Sequence, residues 1–218
     1  MSRRSTGFSA NSALGRALVI LCTGCTLLSP KAPAPLARYT LTGGAPSATH
    51  PAPLPLNAPT LLVEPVTALA GFDSRRMIYQ TAPDRIEAFA TRQWVDTPAE
   101  MLKPIIVAEL RGGTGLLHVT EAPTGMVSDV ILNAQIMELE QDFTVTPSQT
   151  RFKLSAVLTE SKTGRQWANR DFEGAVTVAG DGSEASVAAA NQVVALVLGQ
   201  LGGFCEAELA RWQSQHKP

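Results

Sequence analysis

Reactive and charged side chains are scarce in this chain. Its 218 residues include three cysteines and three histidines, 6% aromatic residues, and 18 basic against 19 acidic side chains. Cys22 and Cys25 lie close to the N-terminus and Cys205 stands alone, so no disulfide framework can staple the folded part and a hydrophobic core must hold it. Sparse, balanced charge leaves no basic footprint, and no nucleic-acid partner is expected. His50, His118 and His216 fall in a loop, a strand and the tail, too scattered to share a metal. The sequence contains no Gly-x-Ser-x-Gly elbow, phosphate loop or His-Glu-x-x-His pair. No catalytic constellation and no cofactor is therefore expected. With 44% hydrophobic residues, the length suits one ordinary domain with a sizeable core.

The first 24 residues carry three arginines and no acid, then the apolar run Ala17 to Leu21, then Thr23 and Gly24 ahead of Cys25. That order is the basic, apolar and small-residue series of a secretory signal peptide. A spanning helix needs about 20 apolar residues, more than this run supplies. Cys22 and Cys25 have redox-pair spacing, but such pairs open a helix within a fold, and none precedes them here. Thr23-Gly24-Cys25 resembles a bacterial lipobox, which implies cleavage before Cys25 and acylation of its thiol. Cys22 departs from the large aliphatic residue usual there. An ordinary cleaved signal and an uncleaved anchor stand as alternatives. Removal of Arg3, Arg4 and Arg16 leaves 15 basic against 19 acidic residues, a net charge of −4. Thr26, which is not Asp, favours the outer membrane, and a lipoprotein's two or three acyl chains hold stably.

Eight of the 15 prolines lie between Pro30 and Pro59, a composition that makes a spacer rather than a packed element. We therefore divide the chain into a signal peptide at 1–24, a lipid-anchored linker at 25–37, a domain at 38–213 with a proline-rich loop at 43–59, and a disordered tail at 214–218. Within the domain, Arg38 to Thr42, Leu61 to Val66, Met77 to Thr81 and Arg85 to Ala90 read as short strands. Thr97-Pro98-Ala99-Glu100 has the pattern of a capping box. It predicts a helix that carries Met101, Leu102, Ile105, Ile106 and Leu110 on one stripe, kinks near Pro104 and ends at Gly112-Gly113. Val127 to Glu140, Arg151 to Ser161 and Gln166 to Val178 alternate as an antiparallel meander with one apolar face. Ser183 to Gln213 reads as a second helix, weakened and open to a bend or break at Gly199, Gly202 and Gly203. The expected fold is α/β: a mainly antiparallel or mixed sheet packed against two helices, in two layers or three.

A few polar residues invite a functional reading, each with a plainer one beside it. Glu138 and Glu140, two apart on a strand, share a face like a paired-carboxylate site, but a solvated sheet face explains them better. Asp73 and Asp96 sit where Asp bonds local backbone. Cys205, beside Phe204 on the helical stripe, reads as a buried inert thiol. Two further segments are more distinctive. Gly71-Phe72-Asp73-Ser74-Arg75-Arg76-Met77-Ile78-Tyr79 is followed by Gln93-Trp94-Val95-Asp96-Thr97-Pro98-Ala99-Glu100-Met101-Leu102. With Tyr39-x-Leu41, Leu61-x-Val63, the lipobox and a long C-terminal helix ending near Trp212, they resemble the ABC-type transport auxiliary lipoproteins, the PqiC-like family.

That resemblance implies a non-catalytic subunit. Such lipoproteins accompany MCE-domain (mammalian cell entry) substrate-binding proteins, a permease and an ATPase, which move lipids or hydrophobic solutes between the inner and outer membranes. Lipid on Cys25 would hold this chain at the outer membrane, facing the periplasm, while the linker lets the domain reach the MCE assembly. A ring-shaped homo-oligomer is a geometric expectation, because MCE proteins form rings. Phe72, Arg75, Arg76 and Tyr79 are the candidate partner contacts, since Arg and aromatic residues beside a turn are enriched at interfaces. Against this, Phe72, Tyr79 and Trp94 have the sizes and spacing of core residues. The alternative function is a stand-alone envelope lipoprotein that binds an acyl chain in its own cavity.

Overall fold

The computed structural model describes residues 35–43, 58–113, 118–122, 125 and 127–216. The expected signal peptide, the expected lipobox at Cys25, the expected linker up to residue 34 and residues 44–57 of the proline-rich loop lie outside the described residues. The folded unit starts at Leu36. In chain order its elements are β1 (Ala37–Tyr39), β2 (Thr60–Val63), β3 (Thr67–Ala68), β4 (Arg76–Ala82), β5 (Arg85–Trp94), α1 (Pro98–Gly112), β6 (His118–Glu121), β7 (Val130–Asp142), β8 (Gln149–Glu160), β9 (Gln166–Thr177) and α2 (Ser183–Gln215).

Strand β7 is the spine. Along one edge it takes β2, then β3, then β4, all parallel, through the registers Leu61↔Val130, Thr67↔Gln135 and Ile78↔Glu140. Along the other edge it pairs antiparallel with β8, which pairs antiparallel with β9. The expected meander is present, inside a mixed sheet. β6 extends the sheet beyond β2, and β5 and then β1 extend it beyond β4. The ladder between β7 and β8 slips once: Ile136 faces Leu154 and the next pair is Glu138 with Lys153, so Met137 is an extra residue. Side chains alternate with period 2, so one inserted residue exchanges the faces beyond it. Before the bulge Val130, Leu132, Ala134 and Ile136 are buried in the core, and beyond it Leu139 takes the core face.

Both helices pack on that core face, so the fold has two layers. α1 begins as the sequence predicts: Thr97 Oγ1 accepts from the Glu100 N–H at 3.3 Å. The other half of the box differs, because the Thr97 N–H donates to Asp96 Oδ1 at 2.9 Å instead of to Glu100. The helix runs from Pro98 to Gly112 through Pro104. Pro104 and Glu100 are both exposed, so water can reach the carbonyl that Pro104 leaves without a donor.

The expected weakness of α2 does not interrupt it. It is a single helix of 33 residues. Val193, Val194, Val197, Leu198, Leu201, Phe204 and Cys205 are all buried against the sheet, and tertiary packing of this kind outweighs propensity. The helix also passes the predicted end at Gln213. It continues to Gln215, and His216 stacks on Trp212 with ring centroids 4.4 Å apart while its Nε2 lies 3.2 Å from Glu160 Oε1. Residues 214 and 215 continue α2 where a tail was expected, and His216 after them is held by the ring stacking and the contact with Glu160.

Gly174 in β9 sets how closely α2 approaches the sheet. A Cβ there would lie 2.8 Å from Leu196 Cδ2 and 3.2 Å from both Val193 Cγ2 and Val197 Cγ2. We expect Gly174→Val to cost about 1–3 kcal/mol by overpacking. Gly199→Ala, at an exposed helical site where a Cβ meets nothing within 4 Å, should add up to about 1 kcal/mol. Urea unfolding of the two variants checks both signs.

Candidate partner-docking surface

The two distinctive segments meet at one junction. Gly71 has φ +103°, a conformation that favours glycine, and the Phe72 N–H closes the turn onto the Leu69 carbonyl at 2.9 Å. Arg75 Nη2 donates to Asp96 Oδ1 at 3.1 Å, and the Trp94 N–H donates to the Arg75 carbonyl at 2.8 Å. The Thr97 N–H and the Arg75 guanidinium, in that order, hold the Asp96 carboxyl below its usual pKa. A depressed carboxyl pKa gives stability that is present above the unfolded value and lost as pH falls through the folded one. The junction thereby ties the strand β4, the end of β5 and the start of α1. Trp94 is 3% exposed and belongs to the core.

The four candidate contacts therefore differ in surroundings. Phe72 packs partly buried against the core. Arg75 is exposed but engaged with Asp96. Arg76 opens β4, exposed, opposite Gln93. Tyr79 donates from its hydroxyl to Glu87 Oε2 at 2.7 Å. This bond raises the Tyr79 pKa and lowers that of Glu87. Cys25 lies outside the described residues.

Around Tyr79 the structure gathers residues that the sequence reading did not single out. Its ring lies 4.4 Å from Phe89 and 5.8 Å from Phe143, which meets Phe89 at 6.4 Å. Arg92 lays its guanidinium 3.4 Å over Phe89 and donates from Nη1 to Ser186 Oγ at 3.3 Å. Aromatic pairs add about 0.5–1.5 kcal/mol each beyond area burial, so this is a stiff shelf. The available signal was the length of β5, which runs four residues past the predicted end at Ala90. Its register against β4 jumps from Ile78↔Ala88 to Arg76↔Gln93, and that irregularity brings Phe89 and Arg92 together.

Phe89 also lines a cleft of about 20 Å³, together with Met77, Trp94, Leu139 and Ala190. Glu140, Gln141, Thr150 and Ser186 line it as well, and among the described residues Gln141 Oε1 and Thr150 Oγ1 are buried without hydrogen-bond partners. That volume suits about one water or the tip of one side chain.

The opposite sheet face carries Glu138, Glu140 and Asp142 beyond the bulge, across from Lys153, Arg151 and Gln149. Arg151 lies 3.0 Å from Glu138 Oε1 and 3.5 Å from Asp142 Oδ2. This corrects the expectation of a solvated face: Glu140 is 6% exposed. Burial, then the charge of Glu138, pushes its pKa up to about 7. For Asp142 burial pulls upward, but bonds from Thr144 and the Arg151 charge hold the carboxyl below its ordinary value. A groove of about 410 Å³ opens here, lined by Glu138, Asp142, Arg151, Lys153 and Glu173.

Among the described residues no three His, Cys, Asp or Glu side chains are placed to hold a metal. Cys205 is buried, and desolvation, then Glu206, pushes its thiol up to about 12, so it is inert at neutral pH. His118 lies in β6 and His216 at the end of α2, at separate places as the sequence suggests.

The structure defines a two-layer α/β domain with a mixed sheet and two helices on one face. The chain belongs to the ABC-type transport auxiliary lipoprotein component family, whose model matches residues 39–202. A crystal structure of a Xanthomonas campestris protein is similar, at 23% identity and TM-score 0.64, over 84% of this chain and 98% of that one. An uncharacterised protein shares 18% identity at TM-score 0.61, over 78% and 99%. A PelC dodecamer from Paraburkholderia phytofirmans is more distant, at 15% identity and TM-score 0.42, over 69% and 92%. No curated protein matches the chain.

Glu140 gives a test of the buried acid ladder. Its folded pKa near 7 exceeds the ordinary 4.5, so between those values the folded state binds more protons and stability falls as pH rises. Glu140→Gln should remove about 1–3 kcal/mol of that decline. Urea unfolding at pH 5 and pH 8 measures it, and equal pH dependence in both proteins would refute the assignment.

Proposed function

We propose that this chain is the non-catalytic, membrane-anchored auxiliary subunit of an MCE and ABC-type system that moves lipid or hydrophobic solute between the inner and outer membranes. Lipid on Cys25 holds it at the outer membrane, facing the periplasm. Its folded domain docks on the MCE-domain protein, which works with a permease and an ATPase. A ring-shaped homo-oligomer would match a ring-shaped partner. Arg76 and Tyr79 are the contacts among the four candidates whose side chains are not tied into the Arg75–Asp96 junction or packed on the core like Phe72.

Family membership over 39–202 is the observation that carries this reading. The alternative, a lipid carrier with its own cavity, finds little support in the two concavities above. Ligand pockets usually measure about 300–1,000 Å³ and are mostly apolar, whereas the apolar cleft is about 20 Å³ and the larger groove is lined by charged side chains.

Affinity purification of the acylated chain after in-cell crosslinking should recover an MCE-domain protein together with its permease and ATPase. Recovery of bound lipid and no MCE protein would favour the carrier instead. Cys25→Ser should move the protein from the outer-membrane fraction to the soluble periplasm, and unchanged membrane association would sink the anchor assignment.

A further inference from the structure

The shelf and the cleft are continuous through Phe89, and together they ask for a particular occupant. Phe143 is a large apolar side chain left 42% exposed, and it packs on Tyr79 and Phe89 instead of entering the core. Behind Phe89 the cleft is lined by apolar side chains together with Glu140 and Ser186, and Gln141 and Thr150, 6% and 4% exposed, each leave a buried oxygen without a partner among the described residues. A buried unpaired polar atom destabilises the fold, and a donor entering from the shelf would relieve it. On the same rim Arg92 bonds Ser186 and stacks on Phe89, yet has no ion pair among the described residues. Glu184 is near enough to be felt electrostatically without bridging it. Ser186 is in the first turn of α2, which starts at Gly182 with no side-chain cap, so the positive end of that helix adds to Arg92.

We propose that this surface docks an extended segment of a partner protein carrying a tyrosine or tryptophan beside a carboxylate. The ring lies on Phe143 at the edge of the Phe89–Arg92 stack, its O–H or N–H tip reaches the unpartnered Gln141 oxygen, and the carboxylate meets Arg92. Aromatic side chains with a polar tip suit such a half-apolar site, and charge complementarity selects the acid. Only the identity of the partner rests on the auxiliary-subunit reading.

The test uses the full acylated chain in phosphatidylcholine nanodiscs and fluorescein-labelled Val-Tyr-Asp-Val, with Tyr→Ala and Asp→Asn versions of the peptide, read by anisotropy. Each peptide change should weaken binding at least about tenfold, in line with loss of a buried anchor or a charge pair. Arg92→Gln should erase the Asp-against-Asn difference and keep the Tyr-against-Ala difference, while Phe143→Ala does the reverse. The peptide comparisons leave the protein untouched, so a misfolded variant cannot decide the result. Equal binding of all three peptides overturns the proposal. So does competition by phosphatidylglycerol vesicles that Arg92→Gln abolishes, which would make the site a membrane contact. Self-association that Phe143→Ala abolishes would assign the surface to a second copy and overturn it as well. If the peptide binds and no MCE protein co-purifies, the surface stands and the functional reading fails. The converse result separates them the other way.

Discussion

Met137 is one residue too many for the ladder between β7 and β8, and the division of the molecule into faces follows from that. Without the bulge, the parity that buries Val130, Leu132, Ala134 and Ile136 would send Glu138, Glu140 and Asp142 into the core. With it, Leu139 and Gln141 turn to the helices and the three acids turn away. Burying three unpaired carboxylates would cost far more than one irregular step in a ladder. The same slip places Gln141 opposite Thr150 beneath the start of α2, where both help to line the cleft. Helix-side shelf and outer-face acid ladder are thus two results of a single insertion.

A second constraint is the junction around Asp96. One carboxylate oxygen accepts from the Thr97 N–H and from Arg75, and thereby caps α1 while fixing the start of β4. The residues that make the family resemblance visible in Gly71 to Tyr79 and in Gln93 to Leu102 are in large part the residues of this junction. Turn glycine, ion pair, helix cap and buried Trp94 are structural needs of a strand–strand–helix connection. They build the frame that carries the proposed docking surface, which begins at Tyr79.

Most of the frame was legible in the sequence because it rests on local rules. Thr97 and Pro98 announced α1, the alternation Phe152, Leu154, Ala156, Leu158 announced β8, and the apolar stripe of α2 showed through its glycines. The two-layer arrangement with both helices on one face was left open, since nothing local says which side of the sheet a helix takes. Parallel pairing of β2, β3 and β4 with β7 joins residues far apart in sequence and leaves no periodic trace. The shelf was harder still. Phe89 and Arg92 have opposite parity on an ideal strand, so alternation puts them on opposite faces. Only the register jump in β5, set by pairing with β4 and β1, stacks one on the other. Glu140 was misread for a related reason: the acids were visible on one face, but Arg151 came from a neighbouring strand.

The two concavities divide labour by polarity, and this bears on what kind of partner the domain accepts. On the outer face the charges answer one another, Arg151 with Glu138 and Asp142 and Lys153 with Glu173, so an incoming charged group there must compete with pairs already formed. The exposed pair of Lys153 with Glu173 adds little on its own, about 0–1 kcal/mol. On the helix side, among the described residues, Arg92 has no ion pair, α2 has no side-chain cap, and Gln141 and Thr150 each hold an oxygen without a hydrogen-bond partner. Unsatisfied groups that share one rim cost a folded protein stability until something binds them. They lie beside a stiff aromatic shelf, where an anchor ring loses little conformational freedom on docking. A partner docked as proposed meets the helix side, where Arg92 and the Gln141 and Thr150 oxygens adjoin the exposed Phe143 ring.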